Sequence, residues 1–224
     1  MPYSAEVVTR LIPWVTAVTL LGCGHSTALD APAAPDDDPQ PVAKSLTQSA
    51  LAIGPDADKT DVSSAVGKPA PAWETTTWFN SSPLKVEDLR GKVVLVRWFM
   101  SSECPYCSAT APSLVELHDA YANKGLTIVG MYHHKSEGPL VEADVKSLVV
   151  DHYKFKFPVA IDEDWKTLKS WWLTAHPDSW TSVSFVIDKK GVVRFMHLGG
   201  EYPPDSADYK QIEKWIEQLL SEPA

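Results

Sequence analysis

The sequence predicts an α/β fold built on one central mixed β-sheet flanked by helices. Three observations carry that expectation. The run Lys92–Met100 (KVVLVRWFM) is almost continuously apolar and of strand length, the pattern of a strand buried on both faces. A helical segment, Pro105–Asn123, follows it and leads into a second apolar strand, Leu126–Tyr132; a strand–helix–strand unit of this kind joins parallel neighbours by a right-handed crossover. Near the C-terminus two short apolar runs, Ser184–Asp188 and Val192–Leu198, flank Lys189-Lys190-Gly191 and read as a β-hairpin, which adds antiparallel pairing.

The elements follow in order. Ala72–Phe79 is rich in Trp and Thr and reads as a strand, and Asn80-Ser81-Ser82-Pro83 is turn chemistry. Pro105–Asn123 places Leu114, Leu117, His118 and Tyr121 on one side, with Gly125 just past its end. Leu140–Tyr153 reads as a second amphipathic helix, Pro158–Ile161 as a short strand and Trp165–Trp172 as a third helix. Asp205–Leu220 closes the chain as an amphipathic helix. Trp165, Trp171, Trp172 and Trp180 cluster ahead of residue 182, as core packing or as an apolar rim for a protein substrate.

The 224 residues suffice for one domain with appendages, and 20 Lys+Arg against 29 Asp+Glu disfavour a polyanion-binding surface, so no nucleic-acid partner is expected. Leu11–Gly22 is an apolar run of signal-peptide length, too short to span a bilayer. It ends in Leu20-Leu21-Gly22-Cys23, which resembles the bacterial lipobox; the resemblance implies a lipoprotein signal peptide over 1–22 and a lipid on Cys23. The implied location is the cell envelope, facing the periplasm, with Gly24 after Cys23 favouring the outer membrane. Residues 24–66 hold no aromatic residue and seven of the acidic ones. Residues 23–66 therefore read as a disordered Ala/Pro/Asp-rich tether, in which a short helix near Ser45–Ile53 is compatible, and 67–224 as the folded domain.

If Cys23 is acylated, two of the three cysteines remain, Cys104 and Cys107. They stand where the buried strand turns into a helix. Pro105 suits the first helical position, and cysteines at i and i+3 share a face, so their sulfurs can meet. The helix N-terminus favours a thiolate at Cys104, which makes it a nucleophile with Cys107 as resolving thiol. Two cysteines make half a zinc site at most, and a disulfide closing so short a loop adds little stability.

The segments Gly67-Lys68-Pro69-Ala70-Pro71, Leu89–Val96, Cys104–Cys107 and Phe185–Gly191 together resemble the TlpA/ResA branch of the thioredoxin-like superfamily. That resemblance implies a thioredoxin-like fold with an N-terminal β-hairpin extension and envelope thiol–disulfide exchange. It maps the nucleophile onto Cys104 and the resolving cysteine onto Cys107, with protein thiols or disulfides and an upstream envelope electron donor as partners. Two departures matter at the active-site loop of Glu103, Pro105, Tyr106, Thr181 and Ser182. Glu103 replaces the family's Trp before the first cysteine, and its carboxylate would raise the Cys104 pKa. Ser182, after Thr181, stands where the family carries a cis-proline; without proline this bond is expected to be trans.

No cofactor beyond the redox-active Cys104–Cys107 disulfide is expected. A second reading remains: a copper or zinc carrier using both thiolates with His133, His134 or His197. His133 and His134 end the strand Leu126–Tyr132 and read as solvent-facing, while His197 reads as a packed core residue.

Overall fold

The computed structural model describes residues 50–224. The signal segment, Cys23 and residues 24–49 lie outside them. Seven strands form one sheet: β1 (Ala52–Ile53), β2 (Trp78–Phe79), β3 (Val93–Phe99), β4 (Leu126–Tyr132), β5 (Val159–Ile161), β6 (Ser184–Ile187) and β7 (Val193–His197). Their spatial order is β1-β7-β6-β3-β4-β5-β2. The β3–β4 and β4–β5 pairs are parallel and β3–β6 and β6–β7 antiparallel, so the sheet is mixed as expected.

Every residue of β3 is buried, because helices cover both faces of the strand. Alternation sends Val93, Leu95 and Phe99 into one core with Leu114, Leu117, Ile212 and Ile216, and Val94, Val96 and Trp98 into the other. The first core lies under α1 (Pro105–Tyr121) and α4 (Ala207–Ser221). The second is aromatic: Trp171 stacks on Trp73 with centroids 6.2 Å apart and meets Trp98 and Phe185 edge-on at 5.4 Å. Trp171 and Trp172 are therefore core residues.

Two middle helices are shorter than their apolar periodicity predicts. The expected helix Leu140–Tyr153 is α2 (Glu142–Ser147) followed by a π-helical turn, Leu148–His152, which keeps Val145, Val149 and Tyr153 buried. The expected helix Trp165–Trp172 becomes α3 (Lys166–Leu168) and a second π-helical turn, Lys169–Leu173. It is entered through Asp164 and Trp165, both at positive φ (54° and 59°). Asp162 holds that entry, its carboxylate accepting the Thr167 and Leu168 N–H groups and the Trp98 indole N–H, each at 2.9 Å.

The N-terminal expectations need correction. The folded part starts ahead of Gly67: β1 pairs in parallel with β7, Ala52 opposite Met196, and Ala57, Val62 and Ala65 are buried against the same core. Residues 50–66 are thus not tether, since small apolar side chains let this segment lie flat on the sheet edge despite its acidic composition. Ala52–Ile53, inside the possible helix, is strand. Among the described residues no N-terminal hairpin forms, because β1 and β2 sit on opposite edges of the sheet. Of Ala72–Phe79 only Trp78–Phe79 is strand; ahead of it Pro69 and Pro71 lack the N–H a ladder needs, and pairing there reduces to the Pro69–Val192 bridge.

His133 also departs from expectation. Its N–H extends the β4 ladder to the Phe99 carbonyl at 2.9 Å, and its ring is fully buried beside Trp165, centroids 5.2 Å apart. Neither ring nitrogen has a hydrogen-bond partner, and burial, aided by Lys135 and Arg97, holds its pKa down to about 3.

Two predictions follow from this packing. Ala52→Asp places a carboxylate at a buried sheet edge and is expected to destabilise the domain by about 2–3 kcal/mol in denaturant unfolding; an unchanged midpoint would show residues 50–66 to be detached. His133 takes up a proton near pH 6.5 when unfolded but only near 3 when folded, so stability falls as pH drops below 6.5, by up to about 1.4 kcal/mol per pH unit. Melting curves between pH 7 and 4.5 should flatten in His133→Leu relative to the parent, and equal slopes would refute the assignment.

Candidate active site

The backbone builds the site at the end of β3. The chain leaves Phe99, turns through Ser101–Glu103, and enters α1 with Cys104 as N-cap (φ −80°, ψ 108°) and Pro105 in the first turn. Proline costs nothing there, since that N–H has no intrahelical partner. The Cys107 N–H donates to Cys104 Sγ at 3.2 Å, and Cys107 Sγ lies 2.6 Å from Cys104 Sγ. Both cysteines are free thiols, with Cys104 9% and Cys107 3% exposed.

The electrostatics overturn one expectation. Burial pushes the Cys104 thiol up to about 11, and the hydrogen bond and charge of Cys107 push the same way. The Cys107 N–H and the Arg97 charge pull it down without reversing the result. The helix start therefore does not yield a ready thiolate, because desolvation of the anion outweighs the one N–H aimed at it. The rise was expected from Glu103, but that carboxylate is exposed, accepts a hydrogen bond from Ser101 Oγ at 3.4 Å, and is not among the causes.

The loop opposite the cysteines is in place without its proline. Every described peptide bond is trans, Thr181–Ser182 included. Ser182 is buried, with its Oγ 3.8 Å from Cys107 Sγ. Lys135 Nζ donates to Thr181 Oγ1 at 3.1 Å, and Arg97 donates to the Ser182 carbonyl at 2.6 Å. On the solvent side Tyr106, 44% exposed, meets Trp180 edge-on with centroids 6.2 Å apart. Beside Glu103 opens a cleft of about 300 Å³, lined by Ser101, Tyr132, His134 and Asp144 among others.

Several contributors escaped the sequence reading. Tyr153 Oη is 3.3 Å from Ser108 Oγ, which in turn donates to the Ser102 carbonyl at 3.1 Å and so ties the end of the π-helical turn Leu148–His152 to the cysteine loop. Arg97 and Lys135 were not expected as neighbours of the loop at 181–182. Only Arg97 left a trace in the sequence, as a lone charge inside an apolar strand.

The histidines of the metal reading are not gathered around the cysteines. His133 is enclosed beside Trp165, His134 lies near Tyr132 Oη (3.3 Å) and the Gly138 carbonyl (3.0 Å), and His197, buried as expected, bonds Asp208 at 3.0 Å. Among the described residues no group of three or more His, Cys, Asp or Glu is arranged to hold a metal ion. No described helix is long and apolar enough to cross a membrane.

Comparison with known proteins agrees with this geometry. Residues 65–212 match the redoxin family. The thiol-disulfide oxidoreductase ResA of Bacillus cereus is 32% identical over 146 residues, 65% of this chain and 77% of that protein. The protein DipZ of Mycobacterium tuberculosis is 27% identical over 150 residues, but there the chain spans only 20% of the relative. Among solved structures, a thioredoxin-like superfamily protein superposes with TM-score 0.56 at 26% identity, covering 70% of this chain and 98% of its own. A thiol-disulfide isomerase from Corynebacterium glutamicum shares the fold, with TM-score 0.54 at 24% identity, covering 69% of this chain and 98% of its own. With a thioredoxin-like mixed sheet, a free Cys-Pro-Tyr-Cys pair at its first long helix and relatives named as thiol-disulfide oxidoreductases, the chain belongs to the redoxin family, in its TlpA/ResA-like branch.

Proposed function

We propose that this chain is an envelope-anchored thiol–disulfide oxidoreductase that reduces disulfides of protein partners. The observation that carries the reading is the free dithiol at the start of α1, its sulfurs 2.6 Å apart with Ser182 against the inner one. Cys104, the more exposed sulfur, attacks one sulfur of a partner disulfide, forming a mixed disulfide and expelling the other partner sulfur as a thiolate. Cys107 then loses its proton and attacks Cys104 Sγ, releasing the second partner thiolate and leaving Cys104–Cys107 oxidised. Two electrons and two protons pass to the partner. An upstream envelope dithiol donor returns the pair to the reduced state.

A raised Cys104 thiol is compatible with that direction: a stabilised thiolate favours the reduced form and makes a dithiol oxidising, and burial withholds that stabilisation here. The cost is kinetic. Each unit of pKa removes about tenfold of the anion at neutral pH and returns only about threefold in nucleophilicity. A partner seated against Tyr106 and Trp180 would hold its disulfide at Cys104, which offsets part of that loss through proximity.

Anchoring would come from a lipid on Cys23, with residues 24–49 between it and the first strand. In cells, Cys23→Ser is expected to abolish incorporation of labelled fatty acid; undiminished labelling would remove the anchor from the proposal.

The exchange chemistry is tested by trapping. Cys107→Ser should accumulate mixed disulfides through Cys104 that a small thiol releases, while the Cys104→Ser, Cys107→Ser double variant captures none. A trap that stays empty in the single variant would overturn exchange. The reduction potential tests the direction: a value near the thioredoxin figure of about −270 mV is expected, and one near about −120 mV would mark an oxidant instead.

A further inference from the structure

Arg97 is the one charged residue of β3, and its chemistry is unused by the mechanism above. It is fully buried, and among the described residues its guanidinium meets no carboxylate. Its partners are neutral: the Ser182 carbonyl at 2.6 Å, Ser184 Oγ at 3.3 Å and the Gly200 carbonyl at 3.0 Å, with the Tyr202 ring centroid 5.1 Å away. Its Nε has no hydrogen-bond partner. Burying a cation without a counter-charge is costly, and a neutral amide could bridge the same oxygens without that cost.

A buried cation is useful where negative charge appears transiently, so the groups around it decide its role. Those it influences electrostatically are Tyr202, His197, His133 and Cys104. Both histidines are held neutral by burial, and the Tyr202 phenol is pushed up. The sulfurs are what become anionic during exchange. Arg97 shares its sheet face with Val93, Leu95 and Phe99, whose core includes Cys104 and Cys107. The residue it grips most closely, Ser182, in turn reaches Cys107 Sγ at 3.8 Å.

We propose that Arg97 is a positioning residue for the dithiol: its guanidinium holds the Ser182 loop against Cys107 and supplies a fixed positive charge behind the two sulfurs that favours the attacking anion. This rests on the exchange reading for its purpose, but its test does not need a partner protein. The second-order rate of iodoacetamide alkylation of Cys104 is followed in the reduced chain from about pH 7 to 11, with circular dichroism to confirm folding.

Arg97→Gln is expected to slow alkylation at pH 8 about threefold and to displace the pH profile upward. Arg97→Lys, which keeps the charge, should recover most of the rate. Because the charge is buried, changing salt from about 0.05 to 0.5 M should leave the parent profile in place. An unshifted profile in folded Arg97→Gln overturns the proposal, as does Arg97→Lys reacting as slowly as Arg97→Gln. If Arg97→Gln does not fold, the salt series decides, and a parent profile that moves with salt overturns it. A displaced profile together with an empty Cys107→Ser trap would refute the exchange reading while leaving the role of Arg97 standing.

Discussion

A sulfur at the N-cap of a helix is drawn two ways. The unpaired N–H groups of the first turn favour its anion, and removal from water disfavours it. At Cys104 the second effect is larger, because the sulfur is packed against Cys107 and the core beneath α1 and receives the single Cys107 N–H at 3.2 Å. The closeness that lets the two thiols exchange a bond is therefore also what suppresses the anion that begins the exchange. Every other feature of the site modifies this opposition. Arg97 adds positive charge from within the sheet, Ser182 covers the inner sulfur, and the exposed Tyr106 leaves an approach to the outer one.

The site owes its rigidity to β3. This strand contributes side chains to both cores, carries Arg97 on its cysteine side, and ends five residues before Cys104. Its partners on either side supply the rest: β4 leads to Lys135, which reaches Thr181, and β6 begins just after Ser182. Elements remote in sequence thus meet at one end of the sheet. Parallel pairing of β3 with β4 puts the C-terminal ends of both strands on that edge, where open α/β sheets place their chemistry.

The parts legible in sequence were those written in a local code. The apolar run of β3, the Cys-Pro-Tyr-Cys junction and the hairpin around Gly191 each announce themselves within about ten residues. The unread parts depend on contacts between distant segments. Residues 50–66 look like linker by composition, yet their alanines and Val62 fill a shallow edge that only the finished sheet presents. His133 reads as the polar end of a strand, but whether it faces water depends on Trp165, which folds over it through two residues at positive φ. The Cys104 pKa divides the same way: the helix start is local and visible, whereas the burial that outweighs it belongs to a core that also takes in Phe99 of β3, Val149 and Tyr153.

The loop at 181–182 is held in place without a proline's covalent constraint. A proline at this point would fix the backbone by its ring, independently of its surroundings. Thr181 and Ser182 have no such internal restraint, and two cations hold them instead, Lys135 from the β4 end and Arg97 from within the sheet. Only Arg97 is shielded from solvent; Lys135 is exposed, its ammonium 5.3 Å from the Trp165 ring centroid. The two restraints therefore differ in kind. The Lys135 contact is open to water, whereas the Arg97 contact to a carbonyl lies in the interior. Placement of the loop over Cys107 is thus tied to the same buried charge that acts on the sulfurs, so at this site geometry and electrostatics are carried by one side chain.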